Sequence, residues 1–393
     1  MMESGIFFRK FKELWYGETE KTIPPNQDKC FGYVYDEFEW YMWLISCIKN
    51  PVVVEIGAGD GRQGKFYREL LGTKQYITVD ISPDTNPMVL GDSSLIETQD
   101  KVKGILAGPI DILFINDNHS QLELWEPLVR DGGLVGIGET HRDGGIKIWD
   151  DRSEKYESWD IHTEQEGKQY GIGLFKKSAV SDGPPTMTSG EFMKRAWDQW
   201  YIGQTPAERA KIWYPQKRPR QVAVEFLRYL YMVSSIRNPR VVEIGVATGF
   251  ERPFYEDLLN AKQYITVDID PETKPDVVGN SIDPVTVKSV MDKLDGPVDI
   301  IFIDGSHDRE IAPRDWQLWT PIVRSGGYVG LDDSHHDHAS YCDGSAKVWN
   351  KIKSRYDEVW DLFEKCTPEH PALPMTKNRA KYKQAGVGVL RVP

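Results

Sequence analysis

The sequence predicts two doubly wound α/β domains in tandem, each built on a mostly parallel sheet. One observation is an internal repeat: Lys74–Ile81 and Lys262–Ile269 both read KQYITVDI, at an offset of 188 residues (262 − 74). A second is a series of short Val- and Ile-rich runs without alternation, as expected for strands buried on both faces of a parallel sheet. Helical stretches such as Gly64–Leu71 lie between these runs. Strands that alternate with helices are typical of doubly wound sheets.

The predicted elements follow the same order in both repeats. An aromatic helix comes first, at Gly32–Lys49 and at Val222–Arg237. The predicted strands are Val52–Ile56, Tyr76–Asp80, Asp111–Ile115 and Leu134–Ile137, then Val241–Ile244, Tyr264–Asp268, Asp299–Ile303 and Tyr328–Leu331. Trp125 and Trp319 are also equivalent, and we expect both to pack in the cores. A period as long as a domain indicates duplication and fusion, not an array of small repeats.

The boundary between the repeats is predicted at 178–190. This segment reads SAVSDGPPTMTSG and is rich in Ser, Pro and Gly without periodicity. We therefore predict a first domain at 1–177, a linker at 178–190 and a second domain at 191–393. The fused copies are expected to form an intramolecular pseudo-dimer, and the sequence leaves open whether the chain forms a further homo-oligomer.

The composition excludes several classes of protein. The chain has 393 residues, 40% of them hydrophobic and 27% charged, as in ordinary soluble proteins. The net charge of −12 does not favour binding to nucleic acid or to a membrane surface. No apolar run reaches the length of a membrane span. The four cysteines lack CxxC spacing, so neither a disulfide framework nor a zinc cluster is predicted, and we expect a cytoplasmic protein.

Glycine-rich loops follow the first strand of each repeat, at the sheet edge where open α/β sheets bind ligands. The candidate binding residues of these loops are Glu55, Gly57, Gly59 and Gly61 in the first repeat and Glu243, Gly245 and Gly249 in the second. The next strand ends in Asp80 or Asp268, where a carboxylate can accept both hydroxyls of a ribose. The GxGxG spacing differs from the GxGxxG that positions a pyrophosphate. A nucleoside without a pyrophosphate is therefore favoured, and the nearby acids favour a cationic one.

These features resemble the class I S-adenosylmethionine-dependent methyltransferases. The E-I-G-x-G-x-G loop, the ribose-type acid, and Asp92-Ser93 or Asn280-Ser281 near the end of the third strand match that pattern. The resemblance covers nearly the whole chain, once per repeat. It implies two tandem doubly wound Rossmann-like methyltransferase domains that bind S-adenosylmethionine, with Asp92, Asn280 and Ser281 in the cofactor sites.

Acidic residues and histidines follow two further strands of the second repeat. Asp304-Gly-Ser-His307 ends its fourth strand, and Asp332-Asp333-Ser-His335 ends its fifth. Three carboxylates at adjacent strand ends form a hard oxygen-ligand set suited to Mg²⁺. The arrangement is similar to the metal-dependent O-methyltransferases of the cephalosporin hydroxylase-like and macrocin O-methyltransferase type. That similarity implies Asp304, Asp332 and Asp333 as metal ligands, and Asp304 with His307 or His335 as catalytic residues.

The first repeat departs from this metal pattern. Asn116, Gly138 and Glu139 stand where the second repeat has its three acids, whereas His119 and His141 persist. We therefore predict metal-dependent catalysis in the second repeat. The first repeat is predicted to be either a structural partner or a metal-independent methyltransferase.

Three functions remain open from the sequence. The leading one is an O-methyltransferase, assisted by Mg²⁺, for a hydroxylated small molecule such as a sugar, a glycoside or a natural product. A second is a non-catalytic scaffold or an S-adenosylmethionine-binding module, and a third is a NAD-dependent oxidoreductase. The GxGxG spacing counts against the oxidoreductase, and the intact acids count against the scaffold. The structural alternatives are tight turns for the glycines, helix caps for the acids, and a transition metal if His336 and His338 join the cluster.

Overall fold

The computed structural model describes residues 2–16, 29–30, 33–59, 61–116, 121–141, 145–162, 171–180, 184–200, 223–247, 249–335, 343–363 and 386–393. The chain forms two compact units, Ile6–Phe192 with Met1–Met2, and Met193–Pro393 with Glu3–Gly5. Within the predicted linker, residues 178–180 complete a strand and residues 189–190 begin a helix.

The described residues of the first unit form nine strands and six helices, and a seventh helix begins in this unit. Its strands are β1 (Lys29–Cys30), β2 (Tyr33–Val34), β3 (Val52–Ile56), β4 (Gln75–Asp80), β5 (Val89–Leu90), β6 (Ile110–Ile115), β7 (Val129–Gly138), β8 (Tyr156–Ile161) and β9 (Ile172–Val180). Its helices are α1 (Ser4–Tyr16), α2 (Tyr35–Ile45), α3 (Gly64–Leu71), α4 (Ile96–Ile105), α5 (Leu122–Trp125), α6 (Gly145–Lys155) and the start of α7 (Ser189–Trp200).

The second unit repeats this order from the end of α7 onward. Its strands are β10 (Arg240–Ile244), β11 (Gln263–Asp268), β12 (Val277–Val278), β13 (Val298–Ile303), β14 (Val323–Asp332), β15 (Val359–Leu362) and β16 (Val387–Arg391). Its helices are α8 (Ala223–Val233), α9 (Pro284–Lys293), α10 (Ile311–Trp319) and α11 (Gly344–Ile352). A π-helical turn at Phe254–Leu258 stands where the first unit has α3.

Both large sheets have seven strands in the same spatial order. The order is β5-β4-β3-β6-β7-β9-β8 in the first unit and β12-β11-β10-β13-β14-β16-β15 in the second. Five neighbouring strands of each sheet run parallel, and the last two pair antiparallel. The doubly wound α/β fold predicted from the sequence is therefore confirmed. The strand order reverses between β3 and β6, and between β10 and β13, and such switch points open a crevice at the carboxyl edge of a sheet.

The helices predicted at the start of each repeat are longer than the observed α2 and α8. Each helix ends in turns that precede an asparagine with a left-handed backbone. The amide of Ile48 bonds to the carbonyl of Ile45, and Asn50 has φ +49°. In the second unit the amide of Ile236 bonds to the carbonyl of Val233, and Asn238 has φ +46°. The helix hydrogen-bond ladder therefore ends before the proline that precedes each first strand.

The cores consist of the apolar faces of these sheets and the helices packed on them. In each unit a completely buried tryptophan closes the core, Trp125 in the first and Trp319 in the second. Each indole also donates a hydrogen bond to a loop carbonyl, that of Ser93 (2.8 Å) or Ser281 (2.9 Å). The predicted packing role of these tryptophans is confirmed. Cys47 is buried, and its thiol donates a hydrogen bond to the carbonyl of Leu44 (3.4 Å). Among the described helices, none is long and apolar enough to cross a membrane.

Candidate active site

The glycine loop and the first acidic residue of the second unit meet at the switch point between β10 and β13. The amide of Gly245 bonds to the carbonyl of Val267 (2.8 Å), and the amide of Asp304 bonds to the carbonyl of Ile244 (2.8 Å). Gly245 has φ +89°, and a Cβ there would overlap the Asp304 carbonyl group, with its carbon only 2.7 Å away. Only glycine fits this position, so the backbone alone sets the distance between the loop and the acid.

Two other loop glycines have left-handed backbones and no close neighbour among the described residues. At Gly59 (φ +52°) and Gly61 (φ +68°), a Cβ would have no atom of a described residue within 4 Å. Glycine is favoured at both positions because it adopts a positive φ without steric cost. In the second unit Ala247 adopts φ +44° at the position that corresponds to Gly59.

We expect Ala247→Gly to stabilise the second unit by about 1 kcal/mol, because a left-handed φ costs an L-residue about that much. Gly59→Ala is the matched reverse change in the first unit and should destabilise it by about 1 kcal/mol. Urea unfolding of both variants measures the two effects. Shifts of the same sign in both variants would contradict a backbone origin.

Asp80 and Asp268, the acids predicted to bind a ribose, accept hydrogen bonds from the glycine loops of their units. One Asp80 oxygen accepts the amide of Gly59 (3.0 Å) and the other accepts the amide of Ser82 (2.8 Å). Asp268 accepts the amides of Val246 (2.9 Å) and Asp270 (2.9 Å) in the same way. Because an ionised carboxylate offers about four acceptor sites, each acid retains acceptor capacity for ligand hydroxyls.

An exposed isoleucine follows each of these acids and is absent from the site predicted from the sequence. Ile81 is 70% exposed and Ile269 is 68% exposed, and each directly follows a strand of its sheet. Large aliphatic side chains at the edge of a crevice offer an apolar face for a planar ring. The signal was available in the repeat KQYITVDI, which keeps the isoleucine in both copies.

The loops after the edge strands are held by turns of their own. Asp92 accepts the amide (2.8 Å) and the hydroxyl (2.6 Å) of Ser94, and these bonds lower its pKa. Asn280 accepts the amide of Ile282 (3.2 Å). Together with the tryptophan bond to the carbonyl of Ser281, these contacts fix the candidate cofactor residues at the same edge of the sheet as the glycine loop.

The loop glutamates lie below the crevice and are not exposed to it. Glu55 and Glu243 are fully buried and accept the hydroxyls of Tyr76 and Tyr264. Burial raises the pKa of Glu243 well above its usual value, and the nearby Glu251 adds to the effect. We therefore read both glutamates as supports of the loop.

Asp315 on α10 is a buried acid that sequence reasoning missed. Its side chain is fully buried, and it faces the Gly305 backbone and the Ser281 loop. Burial raises its pKa from 3.8 to about 6, and the Ser281 hydroxyl opposes this rise. The first unit has the neutral Gln121 here, which accepts the hydroxyl of Ser93 (2.6 Å).

We expect Asp315→Asn to raise the melting temperature at pH 7.5 and to have little effect at pH 4. Burial favours the protonated form of Asp315 in the folded state. The contribution of Asp315 to the free energy of unfolding is therefore fully present below the unfolded pKa of 3.8, and it is lost as pH rises through about 6. The gain at pH 7.5 should reach up to about 3 kcal/mol. Gln121→Glu is the matched change and should destabilise the first unit at pH 7.5. A pH-independent effect of Asp315→Asn would contradict the assignment.

Asp304, His307, Asp332 and Asp333, which we call the acidic cluster, converge at the ends of β13 and β14. One ligand atom each from Asp304, His307 and Asp332 lies within 4.8 Å of the others. Asp332 is buried, which raises its pKa well above the usual value, and the neighbouring carboxylates of Asp304 and Asp333 add to this. Its Oδ1 makes no hydrogen bond to any described residue. Asp333 holds a left-handed φ of +52°. Such a set of oxygens and one imidazole nitrogen fits a divalent cation.

The two candidate bases have different surroundings. His307 lies within the acidic cluster, with Nε2 3.8 Å from Asp304 and Nδ1 3.5 Å from Asp333. His335 instead pairs with the buried Asp361 (3.1 Å) and stacks on Phe363 at 4.3 Å. Burial alone would raise the pKa of Asp361, but the nearby His335 and Lys353 lower it. The structure thus brings His307 and not His335 together with the acids.

Ser345 and Gly344 at the start of α11 hold His307 and are also absent from the predicted site. The amide of Gly344 bonds to the carbonyl of His307 (2.8 Å), and the Ser345 hydroxyl lies 3.3 Å from Nδ1 of the imidazole. The first unit has Gly145 in place of Ser345. The signal was present in the sequence as a mismatch between DGSAKVW and DGGIKIW.

The first unit uses the equivalent positions differently. Asn116 donates to the carbonyl of Gly57 (3.1 Å), a bond that a carboxylate could not make. Glu139 keeps the left-handed backbone (φ +55°), and His141 pairs with Asp160 (2.9 Å). His119 lies outside the described residues, as do His336 and His338 of the second repeat.

Several solved structures of methyltransferases are similar to the chain. They include an rRNA methylase from Streptococcus thermophilus, the O-methyltransferase TomG from Streptomyces achromogenes in complex with SAM, and an O-methyltransferase from Bacillus cereus in complex with SAH. Their identities are 15%, 12% and 12%, with TM-scores of 0.28, 0.32 and 0.32. The similarity covers 36%, 53% and 52% of this chain and 96%, 92% and 93% of theirs.

A scan of family models gives a match in the second unit. No curated protein sequence matches the chain. The matched segment contains the glycine loop, Asp268 and the three carboxylates of the acidic cluster. Residues 242–334 match the family model described as a methyltransferase domain.

Proposed function

We propose that the second unit is an S-adenosylmethionine-dependent O-methyltransferase, assisted by Mg²⁺, that acts on a hydroxylated small molecule. One observation carries the proposal: the glycine loop and the acidic cluster share one crevice, joined by the close packing of Gly245 against the Asp304 backbone. The family-model match to residues 242–334 supports a methyltransferase. A sugar, a glycoside or a natural product with neighbouring hydroxyls suits the metal ligands on offer.

The residues of this crevice fit both groups. Asp268 retains acceptor capacity for ribose hydroxyls, and the exposed Ile269 offers an apolar face for the purine. S-adenosylmethionine would supply an activated methyl group on a sulfonium. Asp304, Asp332 and Asp333 would hold Mg²⁺, which would supply a positive charge that lowers the pKa of an acceptor hydroxyl. The buried Asp332 Oδ1 without a hydrogen-bond partner among the described residues fits this role.

His307 would act as the base in this reaction. When bound, S-adenosylmethionine would supply the methyl group for the acceptor oxygen, and its sulfur would be left as a neutral thioether. The hydroxyl proton passes to one imidazole nitrogen of His307, and Ser345 holds the ring in place from the Nδ1 side. Holding both reactants in one crevice supplies the alignment that in-line transfer needs.

Calorimetric titration of the full chain with S-adenosylhomocysteine and with NADH tests the class of protein. We expect the thioether to bind, and Asp268→Ala to remove binding to the second unit. Binding of NADH alone would support an oxidoreductase, and binding of neither would support a scaffold. Radiolabelled methyl transfer to a panel of vicinal diols and matched mono-ols, with Mg²⁺ or with EDTA, then tests the chemistry. Transfer that EDTA leaves unchanged would exclude the role of the metal.

A further inference from the structure

We propose that Arg309 and Asp343 are positioning residues of the second unit: their ion pair ties the loop that carries His307 to the start of α11. The inference rests on the function proposed for this unit, in which His307 is the base. It goes beyond that function because it assigns neither residue a contact with the cofactor, the metal ion or the acceptor. Both would act through the imidazole ring.

Arg309 belongs to a segment that the second repeat has gained. The offset between the repeats is 188 residues at His119 and His307 (307 − 119), but it is 194 at Trp125 and Trp319 (319 − 125). The second repeat has therefore gained six residues (194 − 188) directly after His307. The segment between His119 and Trp125 reads SQLEL and has no arginine or lysine, whereas the longer segment contains Arg309. The added arginine thus occurs in the repeat that has the acidic cluster.

The ion pair between Arg309 and Asp343 is bidentate. Nε of the guanidinium donates to one carboxylate oxygen, and Nη2 donates to the other at 3.0 Å. The bond from Arg309 lowers the pKa of Asp343 to about 2, and Lys347 adds to the effect. Because the arginine side chain is 43% exposed, the pair adds little to the stability of the fold. Two parallel bonds instead fix the distance and the orientation of the two groups.

The segments that this ion pair joins also meet at His307. The amide of Gly344 bonds to the His307 carbonyl (2.8 Å), and the Ser345 hydroxyl lies 3.3 Å from Nδ1 of the imidazole. A Cβ at Gly344 would lie only 2.2 Å from the carbonyl oxygen of Asp308, so the two backbones are in direct contact. The position of the imidazole therefore depends on how closely the start of α11 is held to this loop.

The ion pair is a second link between the two segments. Arg309 lies two residues after His307, and Asp343 lies two residues before Ser345. On its other side the imidazole faces the acids, with Nε2 3.8 Å from Asp304. Without the ion pair, the start of α11 would be held to the loop by fewer bonds. We expect the contact between Ser345 and the ring to loosen and the ring to reorient.

Arg309→Met and Asp343→Asn, each in the full chain, test this role without the need for activity. The two variants change the net charge in opposite directions, but both break the ion pair. With ¹³C-labelled histidine, the Cε1–H resonance of His307 is identified among those of eight histidines by its absence in His307→Gln. In EDTA, we expect both variants to shift this resonance in the same direction, because the ring loses the same support. Opposite shifts, or an unchanged resonance in both variants, would overturn the inference.

Methyl transfer to the vicinal diol of the panel above that accepts most label gives a second readout. We expect kcat to fall about tenfold in both variants, since a misplacement of 1 Å costs up to about 100-fold. The KM for the diol and the affinities for Mn²⁺ and S-adenosylhomocysteine should stay unchanged. Arg309→Lys keeps the charge without the bidentate geometry and should recover part of the loss. A fall in the two affinities as well would indicate a merely structural role and would overturn the inference.

Lys347→Met is the matched control. Lys347 also pairs with Asp343 (3.2 Å), but it belongs to α11 itself and therefore does not tie the helix to the loop. It should leave the His307 resonance and kcat at their wild-type values, and losses equal to those of Arg309→Met would overturn the inference. Absence of methyl transfer by the wild-type chain would count against the proposed function alone. The His307 resonance would then decide whether the ion pair positions the ring.

Discussion

Asp304→Ala is expected to abolish divalent-cation binding by the second unit, measured with Mn²⁺ by electron paramagnetic resonance on the full chain. Loss of this carboxylate leaves Asp332 and Asp333 without the third oxygen of the proposed ligand set. We expect the affinity to fall by at least about 100-fold, since loss of an outer-shell partner alone costs about 10- to 100-fold. Methyl transfer should fall with it, and Asp333→Ala should behave similarly.

Asn116→Ala is the control for this experiment, because Asn116 occupies the corresponding strand end of the first unit. It should leave Mn²⁺ binding unchanged. The titration with S-adenosylhomocysteine should also be unaffected by Asp304→Ala, because the packing of Gly245 against Asp304 involves main-chain atoms that the substitution keeps. Unchanged metal binding and methyl transfer in both Asp304→Ala and Asp333→Ala would overturn the metal assignment.

Gly245→Ala is expected to unfold the second unit or to destabilise it by about 3 kcal/mol or more. The new Cβ would meet the carbonyl group of Asp304 at a backbone position that cannot move without breaking the bond from Asp304 to Ile244. The residue also holds φ +89°, which an L-residue rarely adopts. Urea unfolding followed by circular dichroism measures the loss.

Gly249→Ala provides the matched comparison in the same loop. Gly249 also has a positive φ (+66°), but among the described residues the nearest atom to its Cβ would be Val246 Cγ1, at 3.8 Å. It should therefore cost only about 1 kcal/mol. Equal losses in the two variants would show that backbone conformation, and not the contact with Asp304, accounts for the effect.

The sheets were accessible to sequence reasoning because their strands are continuous apolar runs. Val52–Ile56 predicts β3 to the residue, and the acids that follow buried runs, such as Asp80 and Asp304, fall at the crevice as expected. The internal repeat showed each predicted element a second time and so supported its assignment. Helix ends were less predictable because they depend on local turns, as at Asn50, whose left-handed φ no apolar pattern reports.

The contacts within the site required the structure because they join residues far apart in the chain. His335 pairs with Asp361 and His307 lies beside Ser345, and neither spacing has a sequence signature. The burial of Asp315 is similar: it lies on a short helix whose inward face is decided by packing. Sequence reasoning therefore left the choice between the two histidines open, whereas long-range packing distinguishes their surroundings.

The close packing of Gly245 against Asp304 has a consequence for the engineering of this protein. The distance between a methyl donor bound at the glycine loop and an acceptor bound at the acids would depend on this main-chain packing. Substitution of side chains elsewhere in the site would therefore leave that distance unchanged. Directed evolution toward new acceptors should accordingly leave 243–249 and 304–307 untouched.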